Sequence, residues 1–107
     1  MTTVEFTNKE GRITGFSCSG HSGYGEAGSD IVCAAVSTAV KLAECIINDV
    51  CGTRAKTRIK EETARISLML PNSCEEEDTV QAVLTGLMLT MGDLRDEYPE
   101  YIEVLEV

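Results

Sequence analysis

Gly20, Gly23, Gly25 and Gly28 fall within the ten residues 20–29. That much backbone freedom is incompatible with a helix or a strand, so the segment is expected to be a mobile loop. It divides the chain into short alternating runs before it and a long helical pattern after it. It also carries the only histidine of the 107-residue chain, His21.

Residues 3–8 alternate as a strand does, Asn8-Lys9-Glu10-Gly11 reads as a turn with Gly11 in a left-handed position, and residues 12–19 form a second strand. Thr14, Phe16 and Cys18 should share one face of this hairpin. After the loop, Ser29 or Asp30 can cap a helix over 31–50. Its stripe of Val32, Val36, Ala39, Ala43, Ile46 and Val50 advances in steps of 4, 3, 4, 3 and 4. Gly52 is the expected stop. Residues 54–61 read as an edge strand guarded by Arg54, Lys56, Arg58 and Lys60. Residues 63–70 form a clearer strand, with Ala64, Ile66, Leu68 and Leu70 on one face. Ser73 and Glu76 have the spacing of a capping box before a second helix to about Tyr98, with Val80, Val83, Leu84, Leu87, Met91 and Leu94 as its stripe. Tyr101 to Val107 is a last strand. The expectation is one domain over 1–107, an α+β fold of order strand-strand-helix-strand-strand-helix-strand. The sheet should be mainly antiparallel, with both amphipathic helices on one face.

Hydrophobic residues make up 43% and charged residues 25%, as in an ordinary globular protein. No apolar run is expected to approach the roughly 18 residues needed to span a membrane. The first twelve residues lack the basic and apolar segments of a signal peptide. The five cysteines are an odd number without paired spacing, which fits reduced thiols in the cytoplasm better than a disulfide scaffold. The net charge of −9 argues against direct nucleic-acid binding and favours encounter with a basic protein partner, or simply keeps the chain soluble.

Cys33 lies 12 residues after His21 and, with Asp30 as cap, in the first helical turn. A thiol there meets the positive end of the helix dipole, which favours the thiolate. An imidazole brought beside it can take its proton. The plain alternative is that Cys33 is one more small buried residue. Asp30 is either the cap alone or a carboxylate that orients His21 or helps hold the loop. Ser37, one turn after Cys33, can bond near the thiol or back to the Cys33 carbonyl. Tyr24 is a substrate contact or an exposed loop aromatic. Cys18 lies in a strand, Cys45 mid-helix, Cys51 at an unfavourable helix end, and Cys74 among carboxylates. None of these four has the setting of Cys33. A phosphate cradle is excluded by the lack of a P-loop pattern. A zinc site of Cys18, His21 and Cys33 lacks both a C-x-x-C pair and a second histidine, so no metal or cofactor is expected.

The run GHSGYGEAGSDIVCAAVS resembles the active-site segment of the YsxB-like family of ribosomal-processing cysteine proteases, with matches at Gly20, His21, Ser22, Gly23, Asp30, Val32, Cys33, Ala34 and Ser37. The resemblance implies a small homodimeric endopeptidase that removes an N-terminal extension, after a short apolar and aromatic motif, from a large-subunit ribosomal protein. It makes Cys33 the nucleophile, His21 the general base, Asp30 and Ser37 supporting residues, and the loop of Gly20, Ser22, Gly23 and Tyr24 a lid over the cleavage motif. Two rivals remain at this point. One is a non-catalytic ribosome-associated binding module. The other is a redox-sensing thiol protein with Cys18 as resolving cysteine.

Overall fold

The computed structural model describes residues 1–21 and 30–107. The elements are β1 (Thr2–Lys9), β2 (Arg12–Ser19), α1 (Ile31–Glu44) continued by a wider π-helical turn (Cys45–Val50), β3 (Lys56–Lys60), β4 (Arg65–Met69), α2 (Glu77–Glu97) and β5 (Ile102–Glu106). The expected order along the chain is therefore present. The β1–β2 turn puts Glu10 at φ 54° and Gly11 at φ 83°, the pair of left-handed residues that a tight hairpin of this twist requires.

The sheet itself differs from the expectation. It is mixed rather than mainly antiparallel, in the order β3-β4-β2-β1-β5, and β5 runs parallel to β1. The cause is α2, which carries the chain back along the sheet, so β5 must run in the direction of β4. Since β4 and β1 are each antiparallel to β2, β5 is parallel to β1.

Pairing places Val4, Phe6, Phe16, Cys18, Ile66, Leu68, Ile102 and Val104 on the inward face. These side chains share one cluster with Val36, Val40, Ala43 and Ile47 from the first helix and Val80, Leu84, Leu87 and Met91 from α2. Phe6 and Phe16, direct cross-strand partners, pack with ring centroids 6.1 Å apart.

Several local expectations shift. A bulge sets Thr7 opposite Gly15 and Asn8 opposite Ile13, so Thr14 leaves the inward face and Ile13 joins the core. Gln81 of α2 compensates there, accepting from the Ile13 N–H at 2.9 Å and donating to its carbonyl at 2.8 Å. The buried stripe of the first helix runs through Val32, Val36, Val40, Ala43 and Ile47, and Val50 is 74% exposed. The wider last turn changes the helical phase after Glu44. By length and composition the stretch Ile31–Val50 could cross a membrane, contrary to the expectation, but here its buried stripe belongs to the core.

Ala64 is not a strand residue. It sits at φ 48° in the turn before β4. The capping box is absent too: α2 begins at Glu77, and its cap Glu76 makes no side-chain capping bond. Arg12 organises this end instead. Its guanidinium pairs with Glu77 and donates to the Pro71 carbonyl at 2.9 Å. That pairing, with the bond to Cys74, holds the Glu77 carboxyl below its usual range, against a smaller opposing effect of burial.

Candidate active site

Asp30 is the N-cap of α1. It is buried, and one of its carboxylate oxygens accepts from the N–H groups of Val32 and Cys33, both at 3.0 Å. The Asp30 carbonyl accepts from Ala34 at 3.0 Å. The cap fixes the backbone of the residue that bears the thiol. It also sets a carboxylate against the partial positive charge at the helix start, so that field is not reserved for the sulfur. Capping is thus one role the geometry gives Asp30.

The half-buried Cys33 lines a cleft of about 310 Å³ together with Thr2, Cys18, Gly20, His21, Asp30 and Ser37. Its apolar wall comes from Val36, Ala64 and Ile66. Four expected site residues, His21, Asp30, Cys33 and Ser37, therefore border one space. His21 is exposed, two residues after β2. Ser37 is exposed one turn beyond Cys33, and among the described residues its hydroxyl has no hydrogen-bond partner. Gly20 sits at φ 84°, and a Cβ there would lie 2.6 Å from the Met1 carbonyl oxygen, so both conformation and space demand glycine. The expected contacts of Ser22, Gly23 and Tyr24, and a lid built from them, lie outside the described residues.

Thr2 escaped the sequence reading. It is 2% exposed, and its hydroxyl oxygen lies 3.9 Å from the Cys33 sulfur. Nothing in a strand reading of residues 3–8 signals this, because the contact exists only once β1 abuts the start of α1. A threonine placed at the end of an otherwise apolar inward face was the one available hint.

Three other thiols are held toward the protonated form. Burial, with a smaller contribution from the neighbouring Cys33, pushes Cys18 up to about 11. Burial followed by Asp49 raises Cys45, and burial followed by the bond to Glu77 raises Cys74. Among the described residues no three His, Cys, Asp or Glu side chains are grouped to hold a metal ion.

This cleft lies in a chain with clear relatives. Residues 1–103 match the family described as cysteine protease Prp. The ribosomal processing cysteine protease Prp of Staphylococcus aureus strain Mu50 is 27% identical over 105 residues, covering 97% of each chain. A crystal structure of an essential ribosomal processing protease Prp from S. aureus with a covalently linked product peptide shares the fold with a TM-score of 0.89, at 26% identity over 100% of both chains. The same protease with a substrate peptide gives 0.85 at 25% identity, again over 100% of both. The chain belongs to the cysteine protease Prp family.

Proposed function

We propose that this protein is an endopeptidase that removes the N-terminal extension of a large-subunit ribosomal protein, with Cys33 as nucleophile and His21 as general base. The observation that carries the reading is the shared cleft. His21 and Cys33 border one opening, beside the capping Asp30, in a chain whose relatives process ribosomal proteins and bind substrate and product peptides.

His21 takes the proton from the Cys33 thiol, and the sulfur attacks the scissile carbonyl. The C–N bond breaks as the His21 imidazolium gives its proton to the leaving amine. Water then hydrolyses the thioester and restores the thiol. The N–H groups of Val32 and Cys33 already serve Asp30, so they are poor donors for the oxyanion. The Thr2 hydroxyl stands beside the sulfur and is the better candidate to position it. The wall of Val36, Ala64 and Ile66 suits an apolar cleavage motif. Gly20, Ser22, Gly23 and Tyr24 are its proposed contacts, with Ser37 in support. A charge of −9 draws in a basic ribosomal protein. The cytoplasm is the expected site of action. A homodimer is the expected assembly: a second copy would cover the apolar groove of Ala39, Leu42, Ala43, Ile46, Val83 and Leu87.

The test is a peptide spanning the extension junction, read by mass. A single cut, lost in Cys33→Ser and His21→Ala, is expected. Intact peptide bound tightly would instead support a binding module, and loss of two hydrogens from the protein under mild oxidant a redox thiol.

A further inference from the structure

The chain has nine Lys and Arg residues against eighteen Asp and Glu, yet the cations are not spread evenly. Arg54, Lys56, Arg58, Lys60 and Arg65 fall within twelve residues. Of the other four, Arg12 pairs with Glu77 and Arg95 with Asp96.

Strand register concentrates the group further. Residues directly opposite each other share a face. Thr57 and Ile59 oppose Leu68 and Ile66 on the side of the helices, so Lys56, Arg58 and Lys60 project from the other side. They do so beside Ser67 and Arg65, their partners on β4 being Met69, Ser67 and Arg65 in turn. Arg58, Lys60, Arg65 and Ser67 line one surface groove of about 310 Å³. All four cations are exposed, and none makes an ion pair among the described residues, although Glu61 and Glu62 occupy the adjoining turn.

Guarding an edge strand would explain the charges on β3. It does not explain Arg65, which lies on the second strand. Lys60 and Arg65 stand directly opposite each other, a like-charge pair that costs stability unless an anion is shared between them. Beyond the groove, Ser17 follows Ser67 and Glu5 follows Ser17, so the outer face passes from basic through neutral to acidic.

We propose that the outer face of the β3–β4 ribbon binds the phosphate backbone of RNA through Lys56, Arg58, Lys60 and Arg65. Guanidinium groups match phosphate with paired bonds, and side chains two apart on a strand recur about every 6.8 Å, a stride that an extended polyanion can follow. The choice of RNA over an acidic protein rests on the functional reading above, since a ribosomal protein is met in the company of RNA. A basic substrate protein would be repelled from this face. The net charge that argued against nucleic acid averages over a surface whose charges are segregated. Ala64 and Ile66 line the catalytic cleft while Arg65 between them lines the groove, so RNA held here leaves the cleft open.

The experiment uses the full chain with a fluorescein-labelled 20-nucleotide single-stranded RNA, read by anisotropy. Four phosphate contacts predict a slope near −2.8 in log affinity against log salt, roughly a 50-fold loss from 50 to 200 mM. The variant K56Q/R58Q/K60Q/R65Q should bind at least 10-fold more weakly and still cut a free extension peptide, which reports its folding. A Lys9→Gln, Lys41→Gln control should bind as the parent does. Should the fourfold variant fail to fold, Arg58→Gln and Lys60→Gln singly should each reduce the slope by about 0.7. No saturable binding, binding unchanged in these variants, or equal competition by polyglutamate would overturn the proposal. Peptide cleavage is scored separately, so either reading can fail alone.

Discussion

The backbone N–H of Cys33 donates to the Asp30 carboxylate at 3.0 Å, so the residue that begins α1 also fixes the residue that carries the sulfur. Asparagine caps about as well as aspartate, whereas alanine does not. Asp30→Ala should therefore lower stability by about 1 kcal/mol, and Asp30→Asn by much less, in urea unfolding. An Asp30→Ala protein as stable as the parent would show that the cap contributes nothing.

Thr2 offers a cleaner separation of catalysis from packing. Valine has the shape of threonine without the hydroxyl that lies 3.9 Å from the sulfur. Thr2→Val should keep the melting temperature within a few degrees while kcat/KM falls roughly 3- to 10-fold, about 0.7–1.4 kcal/mol. Thr2→Ser, which restores the hydroxyl, should recover most of the loss. Equal activity in all three would make Thr2 a packing residue.

The thiols should label unequally. Cys18 is buried and pushed up to about 11, and Cys45 and Cys74 are raised as well. Iodoacetamide at pH 7.5 should modify Cys33 ahead of those three, measured by peptide mapping at early times. Preferential labelling of Cys18 would contradict the assignment of roles within the cleft.

The Arg12–Glu77 pair gives a pH signature remote from the cleft. Arg12 holds the Glu77 carboxyl below its ordinary value of 4.5, so the pair stabilises the fold above that pH. The contribution is lost as pH falls through the depressed value. Both side chains are partly exposed, which limits the effect to about 0.5–1 kcal/mol at pH 7. Glu77→Gln should therefore be less stable than the parent near neutrality, and the gap should close in acid. A gap independent of pH would exclude this linkage.

Salt should act on substrate encounter. If charge attraction speeds capture of a basic ribosomal protein, kcat/KM for that whole protein should fall as salt rises, while kcat stays nearly constant. A short, uncharged extension peptide should show little dependence. Identical salt profiles for the two substrates would remove the steering argument.

Local signals in the chain predicted what local physics decides. Gly11 needed its left-handed turn, Asp30 its capping position, and the periodic apolar residues of α2 their place against the sheet, while the stripe of the first helix was met only at Val32, Val36 and Ala43. Tertiary partners decided the rest. Arg12 reorganised the start of α2 and displaced the Ser73 box, and the bulge at Thr14 exchanged one inward side chain for another. The parallel course of β5 follows from how α2 crosses the sheet, which no periodicity encodes. At the candidate site, the nearness of His21, Asp30, Cys33 and Ser37 was legible because they fall close together along the chain, and they border one cleft. Thr2 was not, because it arrives from a strand 31 residues away.

Catalysis as proposed requires the Cys33 sulfur to attack the scissile carbonyl with His21 serving it. A peptide ending in the cleavage motif and bearing a chloromethyl ketone tests this most directly, with the alkylated residue located by tandem mass spectrometry. One adduct per chain is expected, on Cys33, formed far more slowly in His21→Ala. An adduct on another cysteine, or continued peptide cleavage by Cys33→Ser, would contradict it.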